Sequence, residues 1–189
     1  MSAIRLLVLG SVRRNGRAHG YQVRGDLESW AANEWSSAKP GSIYHALKQM
    51  AREGLLRSHE TAPSTAGGPP RVEYELTAAG EDAYTALLRD AVTDHDQGLD
   101  TLSAAIGLID DLPRAEAIAL LRRRVRTMED WRAAVTRDWT PGADGENWGL
   151  VGEVLGMWLH TADSRAEWAR GLIARLEGGA YVMAGEEGR

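Results

Sequence analysis

Lys39, Ser42, Tyr44, His45, Lys48 and Gln49 fall in one short stretch, KPGSIYHALKQMAREGLL, and each carries a hydrogen-bonding side chain. On a helix, Ile43, Ala46, Leu47 and Met50 gather on one side. Ser42, His45, Lys48, Gln49 and Arg52 take the other, with Tyr44 on the border. The chemistry on offer is recognition, not bond making. Lysine suits a phosphate or guanine, glutamine suits adenine, and serine stands near the helix start. Taken alone, the same pattern is the solvated face of an amphipathic helix. The hairpin that the chain forms after Gly54 tips the balance toward recognition.

Other chemistry is poorly served. His19, His45, His59, His95 and His160 show neither HExxH nor a paired ligand spacing, so a zinc site is not expected. The lack of cysteine excludes disulfides, thiolate metal sites and cysteine nucleophiles. No Walker loop is present, and GSIYH is not a nucleophile elbow. Ser, His and Asp all occur, but the sequence does not order them into a triad. The expectation is no catalytic residue, no metal and no cofactor. Arg122, Arg123, Arg124 and Arg126 in LLRRRVR read as a solvated cluster or as partners for acidic helices. Trp131, Trp148, Trp158 and Trp168, with Trp139, leave two readings open. They line an aromatic ligand pocket, or they fill core and subunit interface.

The elements that must position these groups are set by periodicity. A first helix starts after Ser2, with Ile4, Leu7 and Val8 on one face, and breaks at Asn15-Gly16. A second runs from about Gly20 through Trp35, with Val23, Leu27, Trp30 and Ala31 at helical spacing. The third carries the recognition-type face and ends at Gly54. The period then turns to alternation. LLRSHETA and RVEYELT read as two strands around the tip PSTAGGPP, with Glu73 and Glu75 able to pair with Arg57 or His59. Thr77 caps a fourth helix. Three helices and a long-tipped hairpin form the layout of a winged helix-turn-helix, which gives the third helix a docking context.

Beyond residue 92 the chain reads as all helical. One helix ends at Pro113 and a longer one spans RAEAIALLRRRVRTMEDWRAAVTRDW. The last runs from Trp148 to about Glu177. A heptad frame places Ile118, Leu121, Val125, Met128, Val135 and Trp139 on one seam, interrupted by Arg132. A second frame takes Trp148, Val151, Leu155, Trp158, Ala162, Ala169, Leu172 and Leu176, with Arg165 as its exception. Such seams want partner helices. The tail AGEEGR reads as disordered. The division expected is 1–92 for a winged helix-turn-helix domain and 93–189 for a helical dimerisation and effector domain. The fold class is mainly α with a small β-hairpin wing.

Charge agrees with that division. Residues 1–90 hold 11 Lys and Arg against 10 Asp and Glu; residues 91–189 hold 11 against 17. The first part can approach a polyanion and the second repels one. The apolar run of MSAIRLLVLGSVRRNGR is too short to span a membrane, and its arginines come after it, so it reads as a helix of a cytoplasmic protein.

In order, HGYQVRGDLE, GSIYHALKQMAREGLL and GGPPRVEYELTAAGEDAY resemble the PadR family of bacterial transcriptional regulators, over about residues 3–90. More loosely, GMWLHTADSRAEWARGLIARLE is similar to the helical dimerisation region of its longer members. The resemblance implies a homodimeric, DNA-binding repressor of a kind often responsive to small aromatic or other lipophilic effectors; two-fold symmetry then makes the expected double-stranded DNA operator pseudo-palindromic. It places Lys39, Ser42, Tyr44, His45 and Lys48 near DNA and makes Arg71 the cation of the wing GGPPR. This chain departs from the pattern at His45, where proline is usual after the tyrosine, at Gly68, where arginine is common, and at Val72-Glu73, where basic residues are common. Two rivals stand beside this reading: a winged-helix interaction adapter that does not bind DNA, and an enzyme built on the helical domain.

Overall fold

A computed structural model describes residues 3–60, 72–139 and 145–186. The chain divides into two compact units, residues 1–91 with 97–108, and residues 92–96 with 109–189.

The first unit is built around α1 (Ala3–Asn15). Its apolar residues are buried nearly all round, beyond the single face expected, because α2 (Gly20–Ser29), α4 (Pro40–Arg52), α6 (Leu99–Gly107) and the sheet all pack on it. Ser11 is wholly buried among them. Its hydroxyl donates to Asp26 Oδ2 at 2.7 Å, and Asn15 Nδ2 donates to the same oxygen at 2.8 Å. The polar atoms that join α1 to α2 are therefore satisfied where they are hidden.

Two sequence expectations are corrected here. The sheet has three strands, not two: β1 (Arg17–His19) pairs antiparallel with β3 (Val72–Leu76), which also pairs with β2 (Leu56–Glu60), in the order β1-β3-β2. Three residues are too few to show alternation, and Gly16 (φ 69°) turns the chain out of α1 directly into the strand. The second helix also stops early. Ala31 adopts φ 51°, a left-handed conformation that ends the run and starts the short α3 (Ala32–Trp35). Residues 61–71, with the GGPPR tip and Arg71, lie outside the described residues.

The junction of β3 with α5 (Ala78–Thr93) is tight. Thr77 Oγ1 lies 2.7 Å from the Gly54 carbonyl oxygen and 3.1 Å from that of Leu55, and accepts the Gly80 N–H at 3.0 Å. It thus caps α5, as expected, and also ties that cap to the turn after α4. Gly80 completes the fit. A Cβ there would overlap the Leu55 carbonyl oxygen and stand 3.1 Å from its carbon.

The second unit pairs α7 (Arg114–Asp138) with α8 (Gly145–Glu177). Ion pairs Arg122–Glu177, Arg170–Glu129 and Arg132–Asp163 join rising positions on α7 to falling ones on α8, so the helices are antiparallel. Exposed pairs of this kind fix register more than they stabilise. Along α8 the buried stripe is Leu159, Ala166, Ala169, Leu172, Ile173 and Leu176. The expected heptad frame is one residue early in its first half, where Trp158 stays half exposed and Leu159 is buried instead. Gly149 (φ 47°, ψ −131°) breaks the helical path near the start of α8.

Of the tail expected to be disordered, residues 184–186 are held in place, and residues 187–189 lie outside the described residues. Arg114 donates to the carbonyls of Leu176 (2.6 Å), Ala180 (2.9 Å) and Tyr181 (2.7 Å) and to both Glu186 carboxylate oxygens. Ala184 N–H donates to Asp110 O at 2.8 Å. Arg114, and then the Met183 N–H, hold the Glu186 carboxyl at about 2, below its ordinary 4.5. The stabilisation from this contact is complete above the ordinary value and is lost as pH falls through about 2. Amide chemical shifts of Ala184 and Glu186 will report detachment of the segment in that acidic window; shifts that stay flat through it would show that Arg114 does not anchor it.

Candidate nucleic-acid interface

The sequence makes α4 strongly two-sided, and the fold keeps it so. Ile43, Ala46, Leu47 and Met50 are buried against the first unit, while Lys39, Tyr44, His45, Lys48, Gln49 and Arg52 are exposed. Lys39 is the N-cap, Pro40 opens the first turn, and Gly54 (φ 76°) closes the helix with Leu55 N–H bonded to Met50 O at 2.9 Å.

Ser42 is only partly exposed and serves the helix start. Its hydroxyl accepts the Lys39 N–H at 3.0 Å and stands 2.8 Å from Lys39 O and 2.9 Å from Ser37 O. Gln49 Nε2 donates to Glu53 Oε1 at 2.9 Å, so this amide must exchange a partner before it reads a base. Arg5 also grips Glu53, through Nη1 at 3.1 Å and Nη2 at 2.6 Å. Arg5's hydrogen bond, joined by that of Gln49, holds the Glu53 carboxyl below the usual carboxylate range. Glu53 is the one acidic residue between Lys39 and Gly54, and it is matched. Among the described residues no carboxylate pairs with Lys39, Lys48 or Arg52. The outward face of α4 is therefore net positive on a chain of formal charge −5.

Tyr44 has a second task. A Cβ on Gly20 would overlap the edge of the Tyr44 ring, 2.8 Å from Cδ1, and would meet Leu47 Cδ1 at 3.4 Å. Glycine at the first position of α2 lets the tyrosine lie over the backbone. The ring is pinned on one side and 41% exposed on the other. Tyr21 stands close by in sequence, 59% exposed and stacked on His19 with ring centroids 5.4 Å apart.

The acids of the wing strand are also matched. Glu75 Oε2 lies 2.7 Å from His59 Nε2 and 3.2 Å from Arg17 Nη2, and Glu73 Oε1 lies 3.1 Å from His19 Nε2. The His59 hydrogen bond, with the Arg17 charge, keeps the Glu75 carboxyl below its ordinary value. His59 was a sequence candidate for this pairing. Arg17 and His19 were not, because β1 was not foreseen.

Of the four tryptophans singled out in the sequence, the second unit brings two together. Trp131 and Trp158 line a cleft of about 410 Å³ with Met128, Arg165, and the chain segment His95-Asp96. Trp168 and Trp148, 40% and 37% exposed, do not line it; Trp148 instead shares the surroundings of Gly152 with the buried Trp139. Asp94, His95 and Asp96 bring one ligand-type atom each within 4.8 Å, but they are sequence neighbours, and His95 is already paired with Asp96. No helix among the described residues is long and apolar enough to cross a membrane.

Comparison with known proteins gives this geometry its frame. No curated protein matches the chain. Among solved structures, a PadR family transcription regulator of Clostridium difficile R20291 is 27% identical, with 44% of this chain and 80% of that one covered and a TM-score of 0.35. Bacillus subtilis PadR in complex with operator DNA is 20% identical over 91% of this chain and 98% of its own, with a TM-score of 0.39. The same protein in complex with p-coumaric acid is 19% identical over 93% and 99%, with a TM-score of 0.36. Residues 8–86 match the family model described as Transcriptional regulator PadR-like family. That segment runs from within α1 through the three strands and the whole of α4 into α5, and over this part of its first unit the chain is similar to the PadR-like family of transcriptional regulators.

Proposed function

We propose that this chain is a cytoplasmic, non-enzymatic repressor. It binds a pseudo-palindromic DNA operator as a homodimer and is released by a small aromatic or lipophilic effector. Residues 1–92 hold DNA and residues 93–189 dimerise and take the effector. The observation that carries the reading is the outward face of α4, where Lys39, Lys48 and Arg52 face solvent without an acidic partner among the described residues. A rigid helix with unmatched cations and an exposed, pinned tyrosine fits the phosphate rim and floor of a major groove. Two-fold symmetry would set the two α4 helices about 34–36 Å apart, on successive turns of one face of the duplex.

Support for the dimer comes from α8. Leu150, Val151, Val154, Met157 and Trp158 share one face and remain 43–84% exposed in the single chain. The same face on a second copy can bury them by symmetry. The Trp131–Trp158 cleft is the place for the effector.

A salt-dependent gel shift on the DNA flanking the protein's own gene tests the reading. Lys39→Ala and Lys48→Ala will each weaken binding to all sequences and flatten the salt slope by about one unit per lost phosphate contact. Gln49→Ala or His45→Ala will relax preference at one or two base pairs only. Binding unchanged in all four variants would refute the assignment and leave a protein-interaction adapter as the better reading.

A further inference from the structure

Arg5, in the first turn of α1, reaches a residue 48 positions away in sequence, at the far end of α4. Its Nη1 donates to Glu53 Oε1 and its Nη2 to Glu53 Oε2, so the guanidinium closes on both carboxylate oxygens. A carboxylate at this place needs a reason. Glu53 is the C-cap of α4, at the negative end of the helix dipole. It is also the one acid on a stretch that carries Lys39, Lys48 and Arg52, and beside a phosphate it would repel. Its use lies one turn back, where Gln49 Nε2 donates to Oε1 at 2.9 Å. The amide is thereby held in one direction on the outward face, and it gives up this bond to reach a base. What the carboxylate keeps at that moment decides how readily the exchange occurs. With Arg5 in place, each oxygen retains a charge-assisted hydrogen bond after the amide has left. Of the two hydrogen bonds that hold the Glu53 carboxyl below its ordinary range, that of Arg5 is the larger and that of Gln49 the smaller. Without Arg5, the Gln49 amide would be the carboxylate's one remaining side-chain partner among the described residues.

We infer that Arg5 is a positioning residue for base recognition: by holding both oxygens of Glu53, it frees the Gln49 amide to leave that carboxylate and take adenine, with Oε1 accepting from N6 and Nε2 donating to N7. This rests on the DNA-binding role proposed for α4 and assigns the part of that role that tells one sequence from another. Arg5 acts through Glu53 and not on the duplex. Its planar fork suits the task, because it matches both carboxylate oxygens at once and a lysine ammonium does not.

Selection of bound duplexes from a random-sequence pool, followed by sequencing, reads base preference position by position for each full-length variant. The parent will prefer adenine about tenfold at one position of each half-site, and Gln49→Ala will flatten that position. Arg5→Ala will flatten the same position and leave preferences elsewhere in the site standing. Arg5→Lys, which keeps the charge and loses the fork, will flatten it in part. Adding Glu53→Gln to Arg5→Ala will restore the adenine preference, because a neutral side chain at 53 no longer claims the Gln49 amide. That rescue separates positioning from a simple staple between α1 and α4, since the double variant lacks the staple too. Circular dichroism confirms that each variant is folded. If Arg5→Ala does not fold, Arg5→Lys carries the test: an adenine preference equal to the parent's in that variant overturns the inference. So does a preference that survives Arg5→Ala, one that Glu53→Gln does not rescue, or a Gln49→Ala variant that flattens no position; each leaves DNA binding by α4 intact. A parent that enriches no sequence overturns the DNA-binding reading as well.

Discussion

Gly80→Ala will destabilise the first unit by about 2 kcal/mol, and Gly25→Ala will stabilise it by about 0.5–1 kcal/mol. Both glycines lie inside helices, so propensity alone gives alanine the advantage at each. Space decides the sign. A methyl group at Gly80 overlaps the Leu55 carbonyl oxygen, a backbone atom that can move only by shifting the turn after α4. That shift also strains the contacts of Thr77 with the Gly54 and Leu55 carbonyls. At Gly25 nothing lies within 4 Å of the added carbon. Urea unfolding of both variants, monitored by helix signal, tests the pair. Gly80→Ala unfolding at the same midpoint as the parent would show that the contact yields without cost.

On the dimer proposed above, Leu150→Ala with Met157→Ala will leave a folded monomer at micromolar concentration. In the single chain these side chains are 84% and 58% exposed, so truncating them removes almost nothing from the fold of one protomer. Across a two-fold interface the pair counts twice. Four side chains at about 1.5 kcal/mol each weaken association by about 6 kcal/mol, roughly four orders of magnitude in Kd. Sedimentation equilibrium reads the outcome directly, and unchanged helicity shows that the fold survived. A variant that stays dimeric places the interface elsewhere. The operator binding proposed for α4 will then fall with dimerisation, because one α4 helix would hold only a half-site.

The first unit was largely legible in the sequence, because its signals are local. The stripe of Ile43, Ala46, Leu47 and Met50, the cap at Thr77 and the stop at Gly54 each report on a few neighbouring residues. What was missed depends on distant partners. β1 is three residues long and exists because β3 is there to pair with it. The break at Ala31 leaves no mark in a residue type that favours helix, since the left-handed turn is set by tertiary packing. In the second unit the slip of the α8 frame had a visible sign in Arg165, a charged residue on an apolar seam. Trp131 and Trp158 meet because α7 and α8 run antiparallel at that register, which no spacing within either helix encodes. Ser42 and Gln49 were legible as hydrogen-bonding side chains on α4, yet their bonds to the Lys39 N–H and to Glu53 appear only in three dimensions.

The seat of Tyr44 over Gly20 links two positions that mutation would treat as independent. A chain that gains any side chain at position 20 must shrink or turn the residue at position 44. A chain that loses the ring at 44 leaves an apolar hollow over α2 that a larger residue at 20 can fill. Replacements at the two sites will therefore appear in pairs in a library selected for folding, with the single changes depleted. The tyrosine faces outward as well, so such a library will retain folded members that have lost the aromatic surface and, with it, the operator binding proposed for α4.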